Sequence, residues 1–226
     1  MKNKLLILTV LIPLLLSQCT NRGQSGKTLP DNQAAKIDSI IDMSKKLMRE
    51  NPDSAKISLE QLLSLPEKNI RKIEEAKIYL QIGLIYSMKK ELEKSDSLYQ
   101  KATQLLNNVD DPCLLSSVYV NFGINQSKKG DESSAIGFYK RAEKIIESRT
   151  DKCADVAGRI YNNLGLSYRN IDKLDSAKYY YEKSLDYAKQ SNDKQMIANY
   201  NRQNEKDKNL KRKGQFFSIK QSFLLL

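Results

Sequence analysis

The side chains that could do covalent or acid–base chemistry are few and poorly arranged for it. The chain has three cysteines and no histidine. Without imidazole there is no Ser–His or Cys–His nucleophile pair, no His-relayed phosphate transfer and no His-containing zinc site. The acid pairs Glu74-Glu75 and Asp110-Asp111 are the closest approach to a carboxylate dyad. They read as helix-start and solvated-face charges. No Gly-rich phosphate loop, metal-ligand spacing or nucleophile–base constellation is present. The sequence therefore predicts no catalytic residue, no cofactor and no metal. What remains is a set of amides, tyrosines and glycines that recur at fixed positions, and the elements that carry them.

Three segments align without gaps. The first holds Tyr79, Ile82, Gly83, Tyr86, Ser95, Tyr99 and Ala102; the second Tyr119, Phe122, Gly123, Gln126, Ala135, Tyr139 and Ala142. The third holds Tyr161, Leu164, Gly165, Tyr168, Ala177, Tyr181 and Ser184. The first four positions of each set are spaced for one helix face. A glycine there costs roughly 1 kcal/mol of helix propensity against alanine. That cost implies a second helix crossing too closely for a Cβ, with Ala135 and Ala177 as the small partners. Tyr99, Tyr139 and Tyr181 are then expected to fill the space between hairpins. Turns are predicted at Lys90-Glu91, Gly130-Asp131 and Asp172-Lys173, and Asp111-Pro112 marks a helix start. Only 9 Gly and 5 Pro argue against a turn-rich β fold.

These residues resemble the tetratricopeptide repeat signature, with Tyr in the Trp slot, across roughly residues 76–190. The glycines recur after 40 and then 42 residues, so the units are similar to the longer subclass found in kinesin-light-chain-like repeats. The resemblance implies an all-α fold: antiparallel helical hairpins stacked into a right-handed solenoid. In that family the first helix of each hairpin lines a concave surface. Two residues before each glycine lies an amide column, Gln81, Asn121 and Asn163, with Asn162 beside it. Leu84, Ile124 and Leu166 form an apolar column, and Arg169 lies further along. Amides both donate and accept, and so suit the backbone of an extended peptide. Packing between adjacent first helices is an equal use for them. The basic clamp that grips a carboxylate in chaperone-type repeats is not visible, since its main slots hold Leu80, Leu84, Val120 and Ile124.

Residues 34–66 read as a degenerate first hairpin, with Asn51-Pro52-Asp53-Ser54 ending one helix and capping the next. That stretch resembles the opening hairpin of bacterial membrane-bound regulators, in which a periplasmic tetratricopeptide array precedes a transmembrane helix and a signalling domain. Three repeats occupy 67–192. Cys113 and Cys153 stand just before the first helices of successive repeats. Equivalent points on stacked hairpins lie about 10 Å apart, beyond disulfide reach. Buried, reduced thiols are expected.

Both termini depart from the repeat. Lys2 and Lys4 precede an apolar run from Leu5 to Leu16, shorter than the ~20 residues that span a bilayer. Leu16-Ser17-Gln18-Cys19 resembles a lipobox, with Gln18 where Gly, Ala or Ser is usual. The expectation is a lipoprotein signal peptide over 1–18, lipidation at Cys19, and a flexible tether over 19–33. No acidic run follows Cys19, which favours the periplasmic face of the bacterial cell envelope. At the other end, residues 193–213 read as a polar capping helix and 214–226 as a tail. A truncated relative of the regulators and a lipid-touching basic segment are the rival readings there. Net charge is +11, of which residues 199–226 contribute +5. The excess sits mostly in a tail, so no nucleic-acid partner is expected. The partners expected are a protein or peptide, and a membrane through the N-terminal lipid. The alternative function is the sensor portion of a tetratricopeptide regulator.

Overall fold

The computed structural model describes residues 31–66, 70–147, 152–202 and 205. The signal peptide, Cys19, the tether as far as residue 30 and the tail over 214–226 lie outside these. Eight helices are defined among the described residues: α1 (Asp31–Leu47), α2 (Pro52–Leu63), α3 (Lys72–Met88), α4 (Leu92–Leu106), α5 (Pro112–Lys128), α6 (Glu132–Ile146), α7 (Ala154–Asn170) and α8 (Leu174–Gln190). Residues 194–202 are helical as well. The fold is all-α, built from antiparallel hairpins. Helix α1 already begins at Asp31, inside the segment expected to be tether.

Local chemistry sets the helix boundaries. Four starts use the same cap: a side-chain oxygen of the residue before the helix accepts the backbone N–H three residues on. Asn51 accepts from Ser54 at 3.0 Å. Asp111, Asp131 and Asp193 accept from Leu114, Ser134 and Met196, each at 2.9 Å. Pro52 and Pro112 stand at first helical positions, where no N–H is needed. The predicted turns are also where the chain bends. Lys90, Gly130 and Asp172 take left-handed φ values of 63°, 84° and 58°. Each is followed by the same pair of closing bonds. Glu91, Asp131 and Lys173 donate to the carbonyls of Tyr86, Gln126 and Tyr168, while Lys90, Gly130 and Asp172 donate to Ser87, Ser127 and Arg169. Asn192, at φ 54°, repeats this motif after α8.

The chain divides into two compact units, the first ending at Val118 and the second beginning at Tyr119, within α5. In the first unit Ile37, Ile40 and Ile41 of α1, Ala55, Leu59 and Leu62 of α2, and Ile78, Ile82 and Ile85 of α3 form one apolar core. Helix α3 packs against α1, α2 and α4. This is why it is apolar on almost every side. Glu74, expected as a helix-start or solvated charge, is fully buried. Its carboxylate accepts from the backbone N–H and the guanidinium of Arg71, at 2.8 and 2.7 Å. Burial is tolerable because the charge is both paired and capped.

Each repeat glycine lies under its own hairpin's tyrosine. A Cβ on Gly83 would come 2.8 Å from Tyr99 Cδ1; on Gly123, 2.7 Å from Tyr139 Cδ1; on Gly165, 2.5 Å from Tyr181 Cδ1. The nearest group to each glycine is thus an aromatic ring of the same hairpin, and Ala135 and Ala177, expected as the small partners, are fully buried. Tyr99 and Tyr139 are among the largest fully buried side chains, and burial pushes the Tyr99 phenol up to about 12. Where the first repeat has Ser95 in the alanine slot, its hydroxyl donates to the Gly83 carbonyl at 2.8 Å, satisfying the polar atom it introduces.

The second unit continues with α6, α7 and α8, and α7 packs against both of its neighbours. Stacked rings reinforce it: Phe122 on Phe138 at 5.1 Å, Tyr161 on Tyr187 at 5.5 Å and Tyr168 on Tyr180 at 5.3 Å. Lys140 of α6 donates to Tyr180 of α8 at 2.5 Å and to Glu143 at 2.7 Å, tying successive hairpins together. Beyond α8, Met196 covers Gly158 of α7, where an added Cβ would meet its sulfur at 2.7 Å.

Candidate functional site

The predicted groove residues all lie on first helices of hairpins, but their surroundings differ. Gln81 and Leu84 belong to α3 in the first unit. There Gln81 is buried, with its Oε1 given no donor, and Leu84 is half-buried. Asn121 and Ile124 belong to α5 in the second unit, where Asn121 is 4% exposed and Ile124 half-buried. Neighbouring Asn125 is fully buried, an interior amide the sequence reading did not single out. At Gln81 and Asn121, then, the amide column is closed off in the interior.

Helix α7 differs. Asn162, Asn163, Leu166 and Arg169 are all half-buried. The side chains of Asn162 and Asn163 have no hydrogen-bond partner among the described residues. The face toward α8 is taken by Gly165 beneath Tyr181, and Leu164 and Ile160 are fully buried. Residues 159, 162, 166 and 169 fall on a separate stripe, three or four apart. That stripe adds Arg159, which the sequence reading missed. Its signal was its place one turn before Asn162. Burial pulls the Arg159 guanidinium pKa below its usual value, and the Asp155 carboxylate beside it acts in the opposite direction.

The end of this helix is held firmly. Glu132, the first residue of α6, accepts from Ser127 at 2.8 Å and from Asn170 of α7 at 2.7 Å. Burial opposes its ionisation, but hydrogen bonds from Ser167, Asn170 and Ser127 outweigh it and hold the carboxyl below the usual glutamate range.

Cys113 and Cys153 are both disulfide-bonded, which overturns the expectation of reduced thiols. The two cysteines are not equivalent points of the repeat. Cys113 is the second residue of α5, six before Tyr119, whereas Cys153 precedes α7 and lies eight before Tyr161. A two-residue offset at a helix start turns a side chain through more than half a circle, so the repeat-to-repeat distance does not apply.

Among the described residues no group of three or more Cys, Asp or Glu is placed to hold a metal ion, and no helix is long and apolar enough to cross a membrane.

Comparison with known proteins agrees with this architecture. Residues 76–105 and 158–191 match the tetratricopeptide repeat family model. The α5/α6 hairpin between them falls outside both matches, yet has the same glycine–tyrosine contact. Among solved structures, aspartyl phosphate phosphatase F from Bacillus subtilis is similar at TM-score 0.64 and 17% identity, covering 76% of this chain and 45% of that one. This chain thus spans less than half the length of that phosphatase, and the likeness is one of fold. MamA aligns at TM-score 0.48 and 20% identity, over 69% of this chain and 80% of that one. YrrB, a TPR protein with an unusual peptide-binding site, aligns at TM-score 0.38 and 14% identity, over 76% and 94%. No curated protein matches the sequence.

Proposed function

We propose that this chain is a non-catalytic scaffold that binds a protein or peptide, tethered by lipid at Cys19 in the bacterial cell envelope and facing the periplasm. The observation that carries the binding half is on α7 of the tetratricopeptide-like hairpins: half-buried amides at Asn162 and Asn163 with no hydrogen-bond partner among the described residues. Half-buried amides that no described residue engages keep donors and acceptors open to the backbone of a peptide. Two features support the envelope half. One is the apolar run ending at Cys19. The other is disulfide bonding at Cys113 and Cys153, which persists in oxidising compartments and is rare in the cytosol.

Two experiments test the proposal. Partner capture from envelope extract should recover a protein that is lost with Asn162→Ala/Asn163→Ala at unchanged helicity; capture indifferent to that pair counts against the site. Metabolic labelling with palmitate should mark the wild type and not Cys19→Ala. Equal labelling of both would remove the lipid anchor.

A second reading, the sensor portion of a tetratricopeptide regulator, is favoured by one observation. After α8 the chain makes the same turn and the same aspartate cap used within the array, then begins a further helix over 194–202 that packs on Gly158. A repeat that continues in another reading frame beyond Asn201 would favour this reading over the free-standing scaffold.

A further inference from the structure

Gly158 of α7 has a different neighbour from the three glycines that lie under tyrosines. It stands seven residues before Gly165, and the slots seven before Gly83 and Gly123 hold Ala76 and Ser116, both fully buried. All three slots are small and enclosed, and only α7 leaves its slot without a side chain. The Met196 thioether takes that space. A Cβ on Gly158 would stand 2.7 Å from the Met196 sulfur, 3.5 Å from its methyl carbon and 3.7 Å from Cβ of Tyr187 on α8. The Ser184 hydroxyl donates to the Gly158 carbonyl at 2.9 Å, which fixes α8 against this part of α7. The helix over 194–202 depends on the seat so formed. Its half-buried apolar side chains are Met196, Ile197 and Tyr200, and most of its other residues are exposed. A helix in a protein draws most of its stability from the packing of its apolar face.

We propose that Met196 is a redox-modification site: a peroxide converts its thioether to the sulfoxide, and the sulfoxide unseats the 194–202 helix from α7 and α8. The sulfur gives an electron pair to one peroxide oxygen and the O–O bond breaks. The departing hydroxide takes the proton of the transferred oxygen and leaves as water. Sulfur is oxidised by two electrons, and the peroxide is reduced. A thioether packs as a hydrophobe, whereas the sulfoxide is polar and larger by one oxygen. Neither change suits a seat with no room for a Cβ beside the sulfur. Met196 is only half-buried, so a small oxidant reaches it in the folded protein. Met88, at the last position of α3, is the contrast. It is open to the same oxidant but 54% exposed, so its oxidation removes little packing.

The probe is hydrogen peroxide on the full chain, read by peptide mass at Met196 and by the rate of tryptic cleavage after Lys194. Met196 should gain one oxygen while the array stays helical by circular dichroism. Cleavage after Lys194 should then rise about tenfold, because proteolysis follows the population of the opened segment. Treatment with methionine sulfoxide reductases should restore the original rate. Met196→Leu keeps an apolar side chain in the seat and should make cleavage insensitive to peroxide, whereas Met88→Leu should leave the response unchanged. Met196→Gln puts a polar group in the seat without any oxidant and should be cleaved fast from the start. Four results overturn the inference: Met196 oxidised only after denaturation, oxidised Met196 with unchanged cleavage, Met196→Leu responding like the wild type, or Met196→Gln cleaved as slowly as the untreated wild type. None of these touches the scaffold reading, which stands or falls by partner capture with the asparagine variants.

Discussion

At the residue scale, the meaning of a helical glycine depends on what stands over it. Gly123 lies under Tyr139, whereas Gly137, on the exposed side of α6, has nothing within 4 Å of where a Cβ would be. The same substitution should therefore have opposite signs at the two sites. Gly123→Ala is expected to destabilise by about 1–3 kcal/mol, as overpacking outweighs the helix-propensity gain. Gly137→Ala is expected to stabilise by about 0.5–1 kcal/mol, through helix propensity alone. Urea denaturation of both variants reads the difference directly. At Gly123 or Gly165, leucine should unfold the array cooperatively, and thermal melting by circular dichroism indistinguishable from the wild type would refute the assignment of these contacts.

At the element scale, the turns and junctions set how the hairpins repeat. Three first-to-second-helix turns need one residue at positive φ, and only Gly130 meets that need with glycine. Asp172→Gly should raise stability by roughly 1 kcal/mol, by relieving a conformation that costs L residues about that much. Gly130→Ala should lower it comparably, and paired melting curves test both. Glu132 links α6 and α7 through its carboxylate. Its folded pKa is below the unfolded value of about 4.5, so its contribution is full above that value and is lost as pH falls through the folded pKa. Glu132→Gln should therefore lower stability most at neutral pH and flatten the acid limb below about pH 4.5, so that variant and wild type converge at low pH. An unchanged acid limb would show that other carboxylates govern it.

At the scale of the whole molecule, two disulfide-bonded cysteines constrain the unfolded chain more than the folded one. Alkylation of the denatured, non-reduced protein should leave Cys113 and Cys153 unmodified. Reduction should lower stability by about 2–4 kcal/mol. Prompt alkylation without reductant would place both cysteines back among buried free thiols, and would remove one support for an oxidising compartment.

The hairpin fold, the turn positions and the helix caps were legible in the sequence because each depends on neighbours within about four residues. Asn51, Asp111 and Gly130 do locally what their types favour. Burial of Glu74, the ring over each glycine and the disulfide bonding of Cys113 and Cys153 were not, because each is decided by a group distant in the chain or by a two-residue shift in helix phase. The candidate site divides along the same line. Spacing placed Asn162, Leu166 and Arg169 on one face of α7, but only packing could separate the enclosed amides Gln81 and Asn121 from the unbonded ones on α7. Periodicity tells which side chains share a helix face, and tertiary contact alone determines whether that face meets protein or solvent.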